Sequence, residues 1–263
     1  MFALAVLATL ITALPSTDGL VVCADRRAQS PGHETEENLR KIFPAGPNGV
    51  FTVNGTVAFT HADKTVFDLR DSVSRSLAKH GLPKTRDEYH VVMQELINEF
   101  THSRAPQMAN SVLDGGPLLR VTFYSIEDQK PKITALGIFY VPGVNRAPDI
   151  RIMDIQGDMD FSGQDYLPTE IVRGDDPRFD DVRNSYRSLW GNGQRPSTRS
   201  DLDFSRKLIR ESSMRTHLLT KEEVYIGQTS DCAHIPKTGP VKWYLFDDRH
   251  AARGRAQTPI GHQ

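Results

Sequence analysis

The stretch ALAVLATLITAL-PSTDG-LVVCAD, residues 3–25, decides the fold. Residues 3–14 are an apolar run, and residues 19–25 form a second one rich in β-branched side chains, a pattern that predicts two buried strands. Between them Pro15-Ser16-Thr17-Asp18-Gly19 gathers residues that supply fixed or positive backbone angles, so the two strands are expected to form an antiparallel hairpin. Hydrophobicity in both is near-continuous rather than alternating. Both faces of the hairpin therefore need cover, one from another sheet and one from a layer of helices.

Charge arrives where the second strand ends, at Asp25-Arg26-Arg27, and two short strand candidates follow, Lys41-Ile42-Phe43 and residues 49–55. Thr9, Asp25 and Lys41 stand at equal intervals of 16 residues, each at a place where strand-borne chemistry could use it. Taken singly they have plainer readings. Thr9 is then a β-branched strand residue whose hydroxyl bonds to nearby backbone, Asp25 a solvated acid and Lys41 a surface lysine. Only their joint register points to a catalytic or formerly catalytic site.

In that register the segment resembles the β-type subunits of the proteasome and their bacterial relatives, within the N-terminal nucleophile (Ntn) hydrolase superfamily. No gap is needed from Thr9 to Gly55. The first strand of the family, opening with its nucleophilic threonine, falls at Thr9-Leu10-Ile11-Thr12. The G-x-x-x-A-x-D-x-R-A strand falls at Gly19 to Ala28, with Asp25 as its acid and Arg27 as its supporting basic residue. The catalytic lysine falls at Arg40-Lys41-Ile42 and the oxyanion-hole glycine at Gly55. Ser162-Gly163 matches the Ser-Gly turn that supports the nucleophile. Residues 224–235 look like the closing strands, although the Asp and Ser of the D-x-x-S-G-G motif are not evident there, with Glu223 and Ile226 standing nearest. The resemblance covers roughly the first sixty residues and is only architectural beyond them.

It implies an acyl-transfer site. The Thr9 hydroxyl would attack an amide, its own α-amino group serving as base, directly or through a water. A free α-amine titrates at about 7.7–8.0, suited to that task near neutral pH. Such an amine exists only if residues 1–8 are removed as a propeptide or signal remnant. Lys41 would lower the proton affinity of the threonine, Asp25 would hold that lysine charged, and the Gly55 amide would donate to the oxyanion. Family members that process themselves usually carry Gly before the nucleophile, whereas this chain has Ala8. The implied partners are a peptide or other amide substrate and a ring of identical subunits, with no cofactor and no metal.

Other candidates carry less. Cys23 sits mid-strand in an apolar run with no His nearby and reads as a small hydrophobe; it could pair with Cys232 if their strands were neighbours, but two cysteines do not make a disulfide framework. His33-Glu34 with Glu36 and Glu37 lacks a second His at ligand spacing and reads as an acidic loop. With 32 basic and 33 acidic residues, the net charge of −1 leaves no electrostatic footprint for nucleic acid or an anionic membrane. Residues 2–14 are too short to span a bilayer and have no Lys or Arg ahead of them, which favours a cytoplasmic protein. Val6-Leu7-Ala8 nonetheless satisfies the small-residue rule for signal peptidase, so export is the alternative.

Further on, helical periodicity appears over residues 66–80 with Phe67, Leu69, Val73 and Leu77 on one face, and over residues 85–101 with Tyr89, Val92, Met93, Leu96, Ile97 and Phe100. Residues 118–126 and 133–141 read as strands around a polar turn, residues 149–155 and 169–172 as further strands, and the basic run 183–199 as a surface loop. Residues 201–218 read as a helix capped by Asp201, followed by closing strands at 224–235 and 241–246. This order fits an α+β, four-layer αββα sandwich of two antiparallel sheets, a single domain over residues 1–246 with a polar, disordered tail at 247–263. Three functions suit it: a threonine-type amidohydrolase or peptidase, an inactive ring-forming scaffold, or an exported binding module.

Overall fold

A computed structural model describes residues 2–7, 10–27, 39–61, 64–103, 119–139, 149–154, 160–163, 166–219 and 226–245. They form an α+β fold in which every strand pair is antiparallel. In chain order the elements are β1 (Phe2–Leu7), β2 (Leu10–Ser16), β3 (Gly19–Asp25), β4 (Ile42–Pro44), β5 (Gly49–His61), β6 (Lys64–Asp68), α1 (Leu69–His80), α2 (Arg86–His102), β7 (Leu119–Glu127) and β8 (Lys130–Phe139). Then come β9 (Asp149–Asp154), β10 (Asp160–Gly163), α3 (Tyr166–Arg173), α4 (Asp180–Trp190), α5 (Thr198–Arg215), β11 (Ser230–Pro236) and β12 (Lys242–Tyr244). Among the described residues one sheet runs β1-β5-β7-β8-β9, with β4 and β6 also paired to β5, and the other runs β10-β2-β3-β11-β12.

The hairpin forms as its composition predicts. Ser16 pairs with Gly19, leaving Thr17 and Asp18 as the two turn residues, and every residue of β2 and β3 is buried. A Cβ on Gly19 would stand 2.1 Å from the Ile235 carbonyl oxygen, so the close approach of β11 admits no side chain there. The apolar run 3–14, however, is not one strand. Its first half, β1, pairs with β5 in one sheet, and its second half, β2, pairs with β3 in the other.

Alternation along the strands sorts the core into three clusters. Phe51, Val53, Val121 and Phe123 pack with Val73 of α1 and Tyr89, Met93 and Phe100 of α2. Leu10, Leu14, Val21 and Cys23 pack with Leu167, Val182 and Leu208 of α3, α4 and α5. Ile11, Ala13, Val22 and Ala24 of one sheet pack with Val50, Tyr124 and Ile133 of the other. The hairpin is thus covered on both faces.

Local chemistry sets the element ends. Thr85 caps α2 in a reciprocal box with Glu88, and Asp68 caps α1 by accepting from the Arg70 amide at 2.8 Å. That cap corrects the expected helix start, because Val66 and Phe67 belong to β6. Residues 169–172 are helical within α3 rather than a strand, and residues 183–190 of the expected surface loop lie in α4, where Arg183 is buried against Glu170 and Asp180. Ser197, not Asp201, caps α5; it accepts from the Ser200 amide, and Asp201 is buried one turn further in. Strand β11 begins only at Ser230. The tail 247–263 lies outside the described residues. Among those described, no helix is long and apolar enough to cross a membrane.

Candidate active site

The centre of the site is the Asp25–Lys41 pair. Asp25 is the last residue of β3, and Lys41 directly precedes β4. The ammonium Nζ donates to both carboxylate oxygens at 3.0 Å, and neither side chain is exposed. Three backbone amides also converge on that carboxylate. Leu10 N donates to Oδ1 at 2.9 Å, while Arg27 N and Gly227 N donate to Oδ2 at 3.1 and 2.9 Å. A carboxylate held by several N–H donors and a lysine is fixed in orientation, so it keeps the ammonium aimed.

Pairing places Gly55 on the strand edge that also holds β4. Gly55 lies in β5 and is matched to Leu119 of β7 on one edge and to Leu7 of β1 on the other. Strand β7 occupies one edge of β5 from Gly49 to Gly55, so β4, which pairs Ile42 with Thr52, lies on the opposite edge, the one shared with β1. Lys41 and Gly55 therefore sit along a single edge of one strand. The other sheet meets them there, because Leu10 at the start of β2 is tied to Asp25 and pairs with Gly163 of β10.

The three supporting candidates divide. Ser162 is buried opposite Ile11, so Ser162-Gly163 does run alongside the strand that begins at Leu10. Arg27 contributes its backbone amide to Asp25. Thr9 and Ala8 lie outside the described residues.

Two features of the site lie outside the expected site residues. Gly227 supplies an amide to Asp25 from 202 residues away, and a Cβ there would meet Arg27 Cβ and N at 3.0 Å each. The residue type was its only signal, a glycine inside what otherwise reads as a strand. The second is a disulfide between Cys23 and Cys232, which stand opposite each other on β3 and β11. It joins the strand that carries Asp25 to the strand that follows Gly227.

At the outer side of Lys41, the Arg40 guanidinium lies 4.5 Å from the centre of the Trp243 ring, and burial pulls its proton affinity down from the usual arginine value. Comparison with models of known protein families and with curated proteins finds no match for this chain.

Proposed function

We propose that the chain is a threonine-type amidohydrolase of the Ntn class, and that its two sheets with flanking helices are the αββα sandwich of that class. The observation that carries this reading is the convergence of Lys41 Nζ and Leu10 N on one buried carboxylate. Leu10, whose amide Asp25 holds, directly follows Thr9 in the sequence, which is why the reading takes Thr9 as the nucleophile.

The chain also changes sheets at this point. Leu7 is matched to Gly55 in one sheet and Leu10 is anchored to Asp25 in the other. On this reading the bond that is cut is the one between Ala8 and Thr9, in the stretch of sequence that joins Leu7 to Leu10. Cutting it frees the threonine amine and releases β1 from its edge of β5. A substrate strand can then take that edge by backbone pairing, and the acyl group passes from the substrate amide to the Thr9 hydroxyl and on to water.

The disulfide supports one compartment over the other. Cysteine pairs persist where the environment is oxidising and are rare in the cytosol, so Cys23–Cys232 favours export over the cytoplasmic reading.

The test is intact mass combined with turnover of amide substrates. A chain beginning at Thr9 and hydrolysing amides, with activity lost and fold kept in Thr9→Ala, is the expected result. A purified protein that retains Met1 or Phe2 has no threonine amine and is a scaffold. Undiminished turnover in Thr9→Ala rules the nucleophile out.

A further inference from the structure

Lys41 stands just ahead of β4, a strand of three residues that pairs only with β5 among the described residues. The contacts made by its neighbours therefore bear on where its ammonium points. Leu39 N donates to the Arg26 carbonyl at 2.9 Å, which ties the incoming chain to the residue after Asp25. Arg40 Nε donates to the Ile42 carbonyl at 2.7 Å, a bond that spans Lys41 itself. The same guanidinium lies 4.5 Å from the centre of the Trp243 ring, and Ile42 shares an apolar cluster with that ring. Arg40 and Ile42 thus turn toward Trp243 while Lys41 between them reaches Asp25, the alternation of an extended chain.

Trp243 is itself held from two directions. It is the middle residue of β12, opposite Ala233 of β11, and is only 7% exposed within the cluster between the sheets. Two residues earlier, Val241 N donates to the carbonyl of Pro47, in the turn that joins β4 to β5. Residues 241–243 therefore grip β4 at both ends, by a backbone bond past Pro44 and by the indole ring ahead of Ile42.

Strand β11 is the common reference for both members of the ion pair. Its Ser230 is matched to Asp25 of β3, and its Ala233 is matched to Trp243 of β12. One strand thus sets the place of the carboxylate on one side and, through Trp243 and Arg40, the place of the ammonium on the other. A guanidinium that stacks on a ring and donates along its edge is fixed in tilt as well as in position. A lysine ammonium, a point charge on a flexible stem, does neither.

Resting on the threonine-hydrolase reading above, we propose that Arg40 and Trp243 are positioning residues that hold Lys41 at the distance and angle from Asp25 at which its charge acts on the nucleophile.

The test measures kcat, KM and the pH profile of kcat for amide hydrolysis by the purified protein and by Arg40→Lys, Trp243→Leu and Trp243→Phe. Arg40→Lys and Trp243→Leu should lower kcat by roughly 10–100-fold with KM little changed, the scale on which small displacements of reacting groups act. Trp243→Phe, which restores an aromatic face, should recover most of that loss. Lys41 lowers the proton affinity of the threonine amine by its charge, so a displaced Lys41 also moves the acid limb of kcat to higher pH. Partial unfolding lowers the amplitude and leaves the limb in place. Where Trp243→Leu fails to fold, Arg40→Lys, which keeps the charge, reads the same limb. An unmoved limb in folded Arg40→Lys and Trp243→Leu overturns the positioning role and leaves the threonine mechanism standing. Absence of turnover by the wild-type protein overturns the threonine-hydrolase reading and the positioning role with it.

Discussion

Lys41 Nζ stands 3.0 Å from each carboxylate oxygen of Asp25, with both side chains sealed from solvent. Removing one member of such a pair leaves an uncompensated buried charge, which costs about 3–5 kcal/mol. Lys41→Ala is therefore expected to lower stability by that order and to abolish amide turnover. A denaturant midpoint and a hydrolysis assay on the same preparation check both. A variant as stable and as active as the parent would show that the pair carries neither fold nor chemistry.

The Cys23–Cys232 bridge closes a loop of 209 residues in sequence separation. Loops of that length make a disulfide worth more, because cross-linking removes more freedom from the unfolded chain; native bridges are typically worth about 2–4 kcal/mol. Replacing both cysteines with serine should lower the thermal midpoint by several degrees. Because the bridge ties β3 to β11 near Asp25, turnover should fall as well. Thiol titration of unreduced protein gives the companion measurement, with no free thiol expected and two after reduction.

What the sequence disclosed follows from how far each signal reaches. The β2–β3 hairpin was legible because its hydrophobicity, its turn formers and its need for two covered faces all lie within 25 consecutive residues. The Asp25–Lys41 pair was legible only through the joint register with Thr9, since neither residue is distinctive alone. Gly227 was hidden, and the Cys23–Cys232 pairing stayed conditional on their strands being neighbours, because the partners lie 202 and 209 residues away and topology alone brings them together. The errors in secondary structure have local causes. Short apolar runs such as residues 169–172 suit helix and strand alike, and the apolar positions of β6 continue in phase into α1 across the Asp68 cap. At the start of α5, Ser197 and Asp201 are both cap-type residues, and only burial distinguishes the interior one.

That interior aspartate sets a stability profile. Asp201 is fully buried, with neither carboxyl oxygen hydrogen-bonded among the described residues, and burial, aided by the nearby negative charge of Asp18, pushes its pKa up to about 8. In the unfolded chain the same group ionises near 3.9. Between those values the folded state holds a proton that the unfolded state has lost, so stability falls as pH rises, by at most about 1.4 kcal/mol per pH unit. The full penalty is reached above pH 8, and none is present below the unfolded value. Buried His234, whose proton affinity is lowered by desolvation, works in the opposite sense below its unfolded value of about 6.5. The clean window is thus pH 6.5–8. Whatever fixed cost the amide of Asp201→Asn carries, the variant should gain on the parent steadily across that window in chemical denaturation. A stability difference that stays constant from pH 6.5 to 8 would show that Asp201 is already ionised in the folded protein.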